Sequence, residues 1–393
     1  MVGLETLGLF AVASVASLFM AWAIGAGSSG STPFAPAVGA NAISVMRAGL
    51  VVGILGFLGA VLQGANVTEA VGTSLIGGVT ITAVAAIVGL LTAAILVAIG
   101  VFAGYPIATA FTVTGAVVGV GLALGGDPAW AKYTEIATLW ALVPVVGGSV
   151  AYATARILRA ESVPETVAVP ALGGLVGAIL ANVGFTVLGP AGEQGSLASL
   201  AGPLVGGGAV GTVVVTLAAA SFAGGLLWLD LRRDETAGQR HFLLVLGGLV
   251  AFSAGGSQVG LAIGPLVPLL GDGIDLPVIA LLVGGGLGLL AGSWTGAPRM
   301  IKALSQDYSS LGPRRSIAAL IPSFAIAQTA VAFGIPVSFN EIIVSAIVGS
   351  GYAAGGSGVS RRKMVYTVLA WLGSLALSLG GGYAAFTVVD AVV

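Results

Sequence analysis

"VFAGYPIATAFTVTGAVVGVGLALGG", residues 101–126, returns as "VAFGIPVSFNEIIVSAIVGSGYAAGG" at 331–356, displaced by 230 positions. The same displacement sets Gly25 on Gly255, and one of 231 sets Lys132 on Lys363 and Trp140 on Trp371. Several matches at nearly one spacing mark an internal repeat, which a single match in apolar sequence would not.

The chain around these copies is built for lipid. Its 393 residues are 57% hydrophobic and only 7% charged, with a mean hydropathy of +1.08, which excludes a water-soluble globular domain. Apolar segments near the roughly 20 residues that cross a bilayer recur throughout. Spans are predicted over 4–25, 46–64, 71–101, 106–125, 134–155, 167–188, 204–228, 241–262, 274–297, 316–333, 338–357 and 364–391. The fold class is therefore an all-α, multi-pass membrane protein of about 12 segments, expected in the cell membrane. The 64 glycines point to close helix packing and interrupted helices.

Several chemistries fall away. The absence of cysteine removes disulfides and thiolate sites. The single His241 follows the polar "DLRRDETAGQR" and reads as a solvated loop histidine, so no metal site is expected. No cofactor is implied, and an intramembrane enzyme lacks a nucleophile, a histidine cluster or a close carboxylate pair. The N-terminus, "MVGLETLGLF", lacks a basic segment and reads as the first span and not as a cleaved signal. The net charge of −1 gives no sign of a nucleic-acid partner.

Positive charge orients the chain. Arg47, Arg156, Arg159, Arg232, Arg233, Arg240, Arg299, Lys302, Arg314, Arg315 and Arg361 to Lys363 fall on one side of the predicted spans, with Lys132 the exception. That side should be cytoplasmic, with both termini outside. The repeats then begin on opposite sides, so they are inverted, an arrangement of many secondary transporters. The expected organisation is a first repeat at 1–157, linking spans and a charged cytoplasmic loop at 158–240, and a second repeat at 241–393.

Inversion gives a purpose to "GAGSSGSTPFAPAVGANA" (25–42) and "FSAGGSQVGLAIGPLVPLLGDG" (252–273). Glycine and hydroxyl runs at membrane depth are costly unless they line a cavity. Helices broken there should aim N–H groups and positive dipole ends at an anion. Packing and capping by small residues compete for the 28–32 cluster, and a helix-to-helix hydrogen bond competes for Gln258. Among deep carboxylates, Glu341 and Glu69 are candidates for ion coupling, with solvated interfacial positions as the alternative. Arg47 reads as an interfacial anchor, and Trp130, Trp228 and Trp294 as belt residues.

The motifs resemble the inorganic phosphate transporter family. "SAGGSQVGLAIGPL" is similar to its "GANDVANAIGPL", "GIPVSFNEIIVSAIVGSG" to its "GIPVSTTHAIVGAIVGVG", and "GYPIATAFTVTGAVVGVG" to the first-repeat copy. The resemblance implies an inverted-repeat carrier of a tetrahedral oxyanion, with re-entrant segments and commonly a homodimer. It places Gly27, Ser28, Ser29, Ser31, Thr32, Gly256, Ser257 and Gln258 at the substrate, with Thr109 and Ser338 from the two "STTH"-like stretches. The chain departs from the family at the signature Asn-Asp, which reads Gly27-Ser28 and Ser257-Gln258. Sulfate at neutral pH offers only acceptors, whereas phosphate keeps a proton that suits a carboxylate. The lost aspartates therefore point to sulfate, and "IGAGSSGS…GANAI" is similar to the family's sulfate permease branch. The expected function is a proton-coupled sulfate permease with Glu341 in the proton path. A phosphate transporter coupled to H⁺ or Na⁺ is the alternative, and an anion channel the third reading.

Overall fold

The computed structural model describes residues 3–189, 194–270, 274–356 and 359–392. Residues 271–273 of the second glycine-rich stretch and residue 357 of a predicted span lie outside these.

Twelve principal helices follow one another: α1 (Leu4–Ile24), α2 (Val45–Gln63), α3 (Ala83–Ala103), α4 (Thr109–Ala123), α5 (Trp130–Ile157), α6 (Glu165–Asn182), α7 (Gly208–Arg233), α8 (Glu235–Ile263), α9 (Val278–Thr295), α10 (Pro313–Ala332), α11 (Phe339–Tyr352) and α12 (Arg361–Asp390). Ten of them are long and apolar enough to cross a membrane. The other two, α4 and α11, have 15 and 14 residues. At 1.5 Å per residue each is only about 22 Å long, short of a hydrocarbon core of about 30 Å. The segments expected to span at 106–125 and 338–357 are thus extended chain followed by a half-length helix. Gly104 and Gly334, at φ 73° and 61°, turn the chain into those extended approaches. Such left-handed backbone favours glycine.

Two other expectations are corrected. The span predicted over 71–101 breaks at residues 74–82, where Ile76–Gly77 pairs antiparallel with Asp127–Pro128. The Thr82 side chain then caps α3 by accepting from Ala85 N–H. The "DLRRDETAGQRH" segment is no long loop: α7 runs to Arg233 and α8 starts at Glu235. Its helix-forming residues continue both helices beyond the lipid, and Asp234 alone turns the chain, its carboxylate accepting from Ala237 N–H. His241 accordingly sits on α8, exposed, with Nδ1 2.8 Å from Asp230 Oδ2.

The displacement read from the sequence recurs in space. α1 to α5 correspond in order to α8 to α12, and α6 and α7 pack against each other between the two sets. The repeats interlock: α1 packs on α9 and α8 on α2, while α4 packs on α12 and α11 on α5. Matched glycines make these crossings tight. A Cβ on Gly119 would lie 2.2 Å from Leu379 O, and one on its counterpart Gly349 would lie 2.1 Å from Gly148 O. Matched hydrogen bonds join the same helices: Trp140 Nε1 donates to Pro336 O (3.0 Å) and Trp371 Nε1 to Pro106 O (2.7 Å). An indole N–H buried in an apolar bundle needs such an acceptor.

The basic residues other than Lys132 gather at one end. There Arg314 pairs with Glu165, Arg240 Nε donates to Ala42 O (2.9 Å), and Lys363 Nζ lies 3.2 Å from Asp307 Oδ2. Glu5 at the start of α1 lies at the opposite end, beside Thr82 and Leu269.

Candidate functional site

The half-length helices decide where polar groups meet. α4 and α11 begin at mid-depth, so the first N–H groups of each have no intrahelical partner. Their N-cap residues, Ala108 and Ser338, make no side-chain cap. The N-termini Thr109 and Phe339 are fully buried. Two buried, uncapped N-termini would destabilise an apolar bundle unless other donors and acceptors surround them.

Those groups come from α1 and α8. After Ile24 the chain makes a π-helical turn, Gly25–Ser29, placing Ser28 and Ser29 in the interior. Such turns are frequent at functional sites. α8, by contrast, runs unbroken through "SAGGSQ" to Ile263, and tighter turns follow over Gly264–Leu269. The sequence assigned the inward-facing helix N-termini to the breaks at 25–42 and 252–273; the structure assigns them to α4 and α11.

Gln258 is the hub. Thr109 Oγ1 donates to Gln258 Oε1 at 2.7 Å, and Ser28 Oγ lies 3.2 Å from the same oxygen. Gln258 Nε2 donates to Val337 O at 2.6 Å. Across the pseudo-twofold, Asn340 Nδ2 donates to Ile107 O at 2.7 Å and to Gly27 O at 2.9 Å. Ile107 and Val337 are counterparts in the repeat, so each half-helix has the carbonyl just before it tied by an amide. Ser31 and Thr32 turn back to Ser28 O at 3.2 and 3.0 Å and shape the backbone there.

The remaining polar atoms are unfinished. The hydroxyls of Ser29, Ser257 and Ser338, together with Asn340 Oδ1 and Glu341 Oε2, are buried without a hydrogen-bond partner. Each such group costs about 1–3 kcal/mol. The site therefore offers hydroxyl and N–H donors for an anion and two amide or carboxylate acceptors for a proton or cation. Of the expected site residues, the network joins Gly27, Ser28, Thr109 and Gln258, and Ser31 and Thr32 support its backbone. Ser29, Ser257 and Ser338 contribute free hydroxyls, and Gly256 seats α8 against Gln63, whose Cβ would be 2.8 Å from a Cβ at that position. Glu341 is buried in the first turn of α11, whereas Glu69 is exposed on the short helix Ala65–Thr73. Arg47 is exposed at the start of α2, as an anchor is. Asn340 was missed. The available signal was an amide inside the repeated "SFNE" stretch of an otherwise apolar segment.

Interlocked inverted repeats with a buried polar centre define a multi-pass membrane transporter. The model of the phosphate transporter family matches residues 24–381, and the chain belongs to that family. It is 27% identical over 378 residues to the protein named "Putative phosphate permease TK2061" of Thermococcus kodakarensis, covering 90% of each chain. It is 25% identical over 410 residues to "Inorganic phosphate transporter 2-1, chloroplastic" of Arabidopsis thaliana, covering 90% of this chain and 68% of that one. A solved structure described as "The sodium-dependent phosphate transporter" shares the fold at a TM-score of 0.82 and 21% identity, covering 98% of this chain and 100% of that one.

These findings overturn sulfate as the expected substrate, and the likeness to a sulfate-carrying branch has no counterpart among these relatives. The physical error lay in counting acceptors at the signature positions alone. Asn340 Oδ1 and Glu341 Oε2, from the other repeated stretch, leave the centre with free acceptors although both aspartates are gone.

Proposed function

We propose that the chain is a secondary active carrier of inorganic phosphate, and that the anion lies where the first turns of α4 and α11 meet Ser28, Ser257 and Gln258. The pair of buried, uncapped helix N-termini, ringed by free hydroxyls, carries this reading. Each terminus contributes a positive dipole end of about half a charge, and neutral donors complete the coordination of an anion stripped of water. Ser28 and Thr109, which donate to Gln258 Oε1, would turn to phosphate oxygens on binding. Asn340 Oδ1 would accept the phosphate proton, and Glu341 would carry the co-transported proton.

Uptake into proteoliposomes tests the assignment. Radiolabelled phosphate should accumulate saturably under an inside-alkaline pH gradient, and excess sulfate should compete poorly. No phosphate uptake by correctly folded protein would sink the proposal.

The boundaries 1–157 and 241–393 for the repeats, with 158–240 between them, belong to the same proposal. The correspondence of α1–α5 with α8–α12 supports them, although α8 begins at Glu235. A cytoplasmic placement of the basic end, which leaves both termini outside, belongs to the proposal as well. In this cysteine-free chain, Thr236→Cys should react with an impermeant thiol reagent only from the cytoplasmic face; reaction only from outside would refute the orientation. The homodimer implied by the family resemblance would appear as twice the chain mass in a detergent-free nanodisc.

A further inference from the structure

A cavity of about 970 Å³ opens at the end of the bundle opposite the basic cluster, where the ends of α2, α6 and α10 approach α7. Its lining includes Gln63, Asn66, Asn182, Thr216, Gln328 and Thr329, and it carries no charged side chain among the described residues. Its inner wall is a pair of amides. Gln63 Nε2 lies 3.4 Å from Gln328 Oε1 and Gln328 Nε2 lies 3.3 Å from Gln63 Oε1, and both residues are buried. Gln63 Nε2 also donates to Gly184 O at 2.7 Å.

This pair approaches the central site from the other side without hydrogen-bonding to the side chains of Ser257 or Gln258. Gln328 Nε2 donates to Ser253 Oγ at 2.6 Å. Ser253 precedes Ser257 by four residues on α8, so the two hydroxyls share one helix face a turn apart. Gln63 lies against Gly256, between those two serines. A polar line thus runs from the cavity through Gln63 and Gln328 to Ser253 and then to the free hydroxyl of Ser257.

The inverted repeat supplies a built-in comparison. At the same displacement, Gln63, Ser253 and Gln328 correspond to Ser293, Ala23 and Ala98. Ser293 Oγ donates to Leu289 O at 2.8 Å, as Ser253 Oγ does to Leu249 O, whereas Ala23 lies in an apolar cluster and Ala98 is buried. Two of the three positions in the equivalent line toward the basic end are therefore hydrocarbon, and no amide stands there. Symmetric packing alone does not require amides on one side only, because buried carboxamides in lipid-embedded helices are costly without a role.

We propose that this cavity is the access route of the anion from the terminus-bearing side, and that Gln63 and Gln328 form its floor, exchanging their mutual hydrogen bonds for bonds to the passing phosphate. The inference rests on the phosphate reading above. Neutral amides suit a passage better than a basic ring would, since they replace water around the anion without trapping it.

Two measurements test it. Asn182→Cys, in a chain without other cysteines, should transport phosphate before modification. Attachment of an impermeant sulfonate-bearing thiol reagent should then cut uptake roughly tenfold or more, through like charge and bulk beside the path. Gln328→Leu should slow uptake to a similar degree while equilibrium phosphate binding in detergent stays within about twofold, because the floor and the site are separate. Normal phosphate uptake after complete labelling of Asn182→Cys would overturn the route and leave the phosphate assignment standing. Equal losses of binding and uptake in Gln328→Leu would overturn the floor role. No uptake by the unmodified protein would instead refute the phosphate reading, and the inference with it.

Discussion

Ser257→Ala and Ser338→Ala are each expected to weaken phosphate binding by about 10- to 100-fold while leaving the empty protein as stable as before, or more so. Both hydroxyls are buried without hydrogen-bond partners, so removing either deletes a desolvated polar group and not a hydrogen bond. That change relieves a cost of order 1–3 kcal/mol in the unliganded state. In the proposed liganded state each hydroxyl would donate to a charged oxygen, a bond worth about 1.5–3 kcal/mol, and 1.4 kcal/mol is a tenfold change. Thr109→Val provides the contrast. Its hydroxyl is already bonded to Gln258 Oε1 at 2.7 Å, so that substitution should reduce stability as well as affinity. Calorimetric titration with phosphate, alongside thermal unfolding of the empty protein, separates the two patterns. Unchanged affinity in both serine variants would place the anion elsewhere.

The sequence revealed the architecture because an inverted repeat leaves a long, regular mark. Gly25 and Gly255, Trp140 and Trp371, and the two copies at 101–126 and 331–356 align at displacements of 230 or 231, and the two tryptophans have matching partners in space. Span boundaries were harder, since hydropathy registers apolar content and not backbone direction. The residues at 105–108 and 335–338 fall inside apolar windows, yet they are not helical. Only the left-handed Gly104 and Gly334 and the following Pro106 and Pro336 hint at it.

The buried polar centre was legible in its residue types and not in its wiring. Repeat and family motif fall together on Ser28, Ser257, Gln258, Thr109 and Ser338, and the structure buries all five. Which atoms remain free depends on long-range partners. Asn340 reaches Gly27, 313 positions away, and no local pattern announces that contact. The substrate was misjudged for the same reason. Acceptors were sought at the aspartate positions, whereas the fold brings one from Asn340 and another from Glu341 on α11.

Glu341→Gln should abolish accumulation of phosphate driven by a pH gradient while phosphate exchange across the membrane persists. A divalent anion moving toward a negative interior meets about 2.3 kcal/mol per charge per 100 mV, or about 4.6 kcal/mol in all, an opposing concentration ratio beyond a thousandfold. Accumulation therefore requires cations that travel with it. Glu341 is the buried carboxylate beside the site: it is 2% exposed, lies one residue from Asn340, and has Oε2 unpartnered. Glutamine keeps the length and one acceptor oxygen, so the fold and the anion contacts should survive, but it cannot take up and release a proton. Net uptake should then lose its response to an imposed pH gradient, whereas counterflow of labelled against unlabelled phosphate, which needs no net cation movement, should continue. Glu341→Asp, which retains the titrating group, should restore part of the pH-driven uptake. Sodium-driven, pH-insensitive accumulation that is unaltered in Glu341→Gln would exclude this carboxylate from coupling. Loss of counterflow together with net uptake would make Glu341 a structural residue of the site and not the proton carrier.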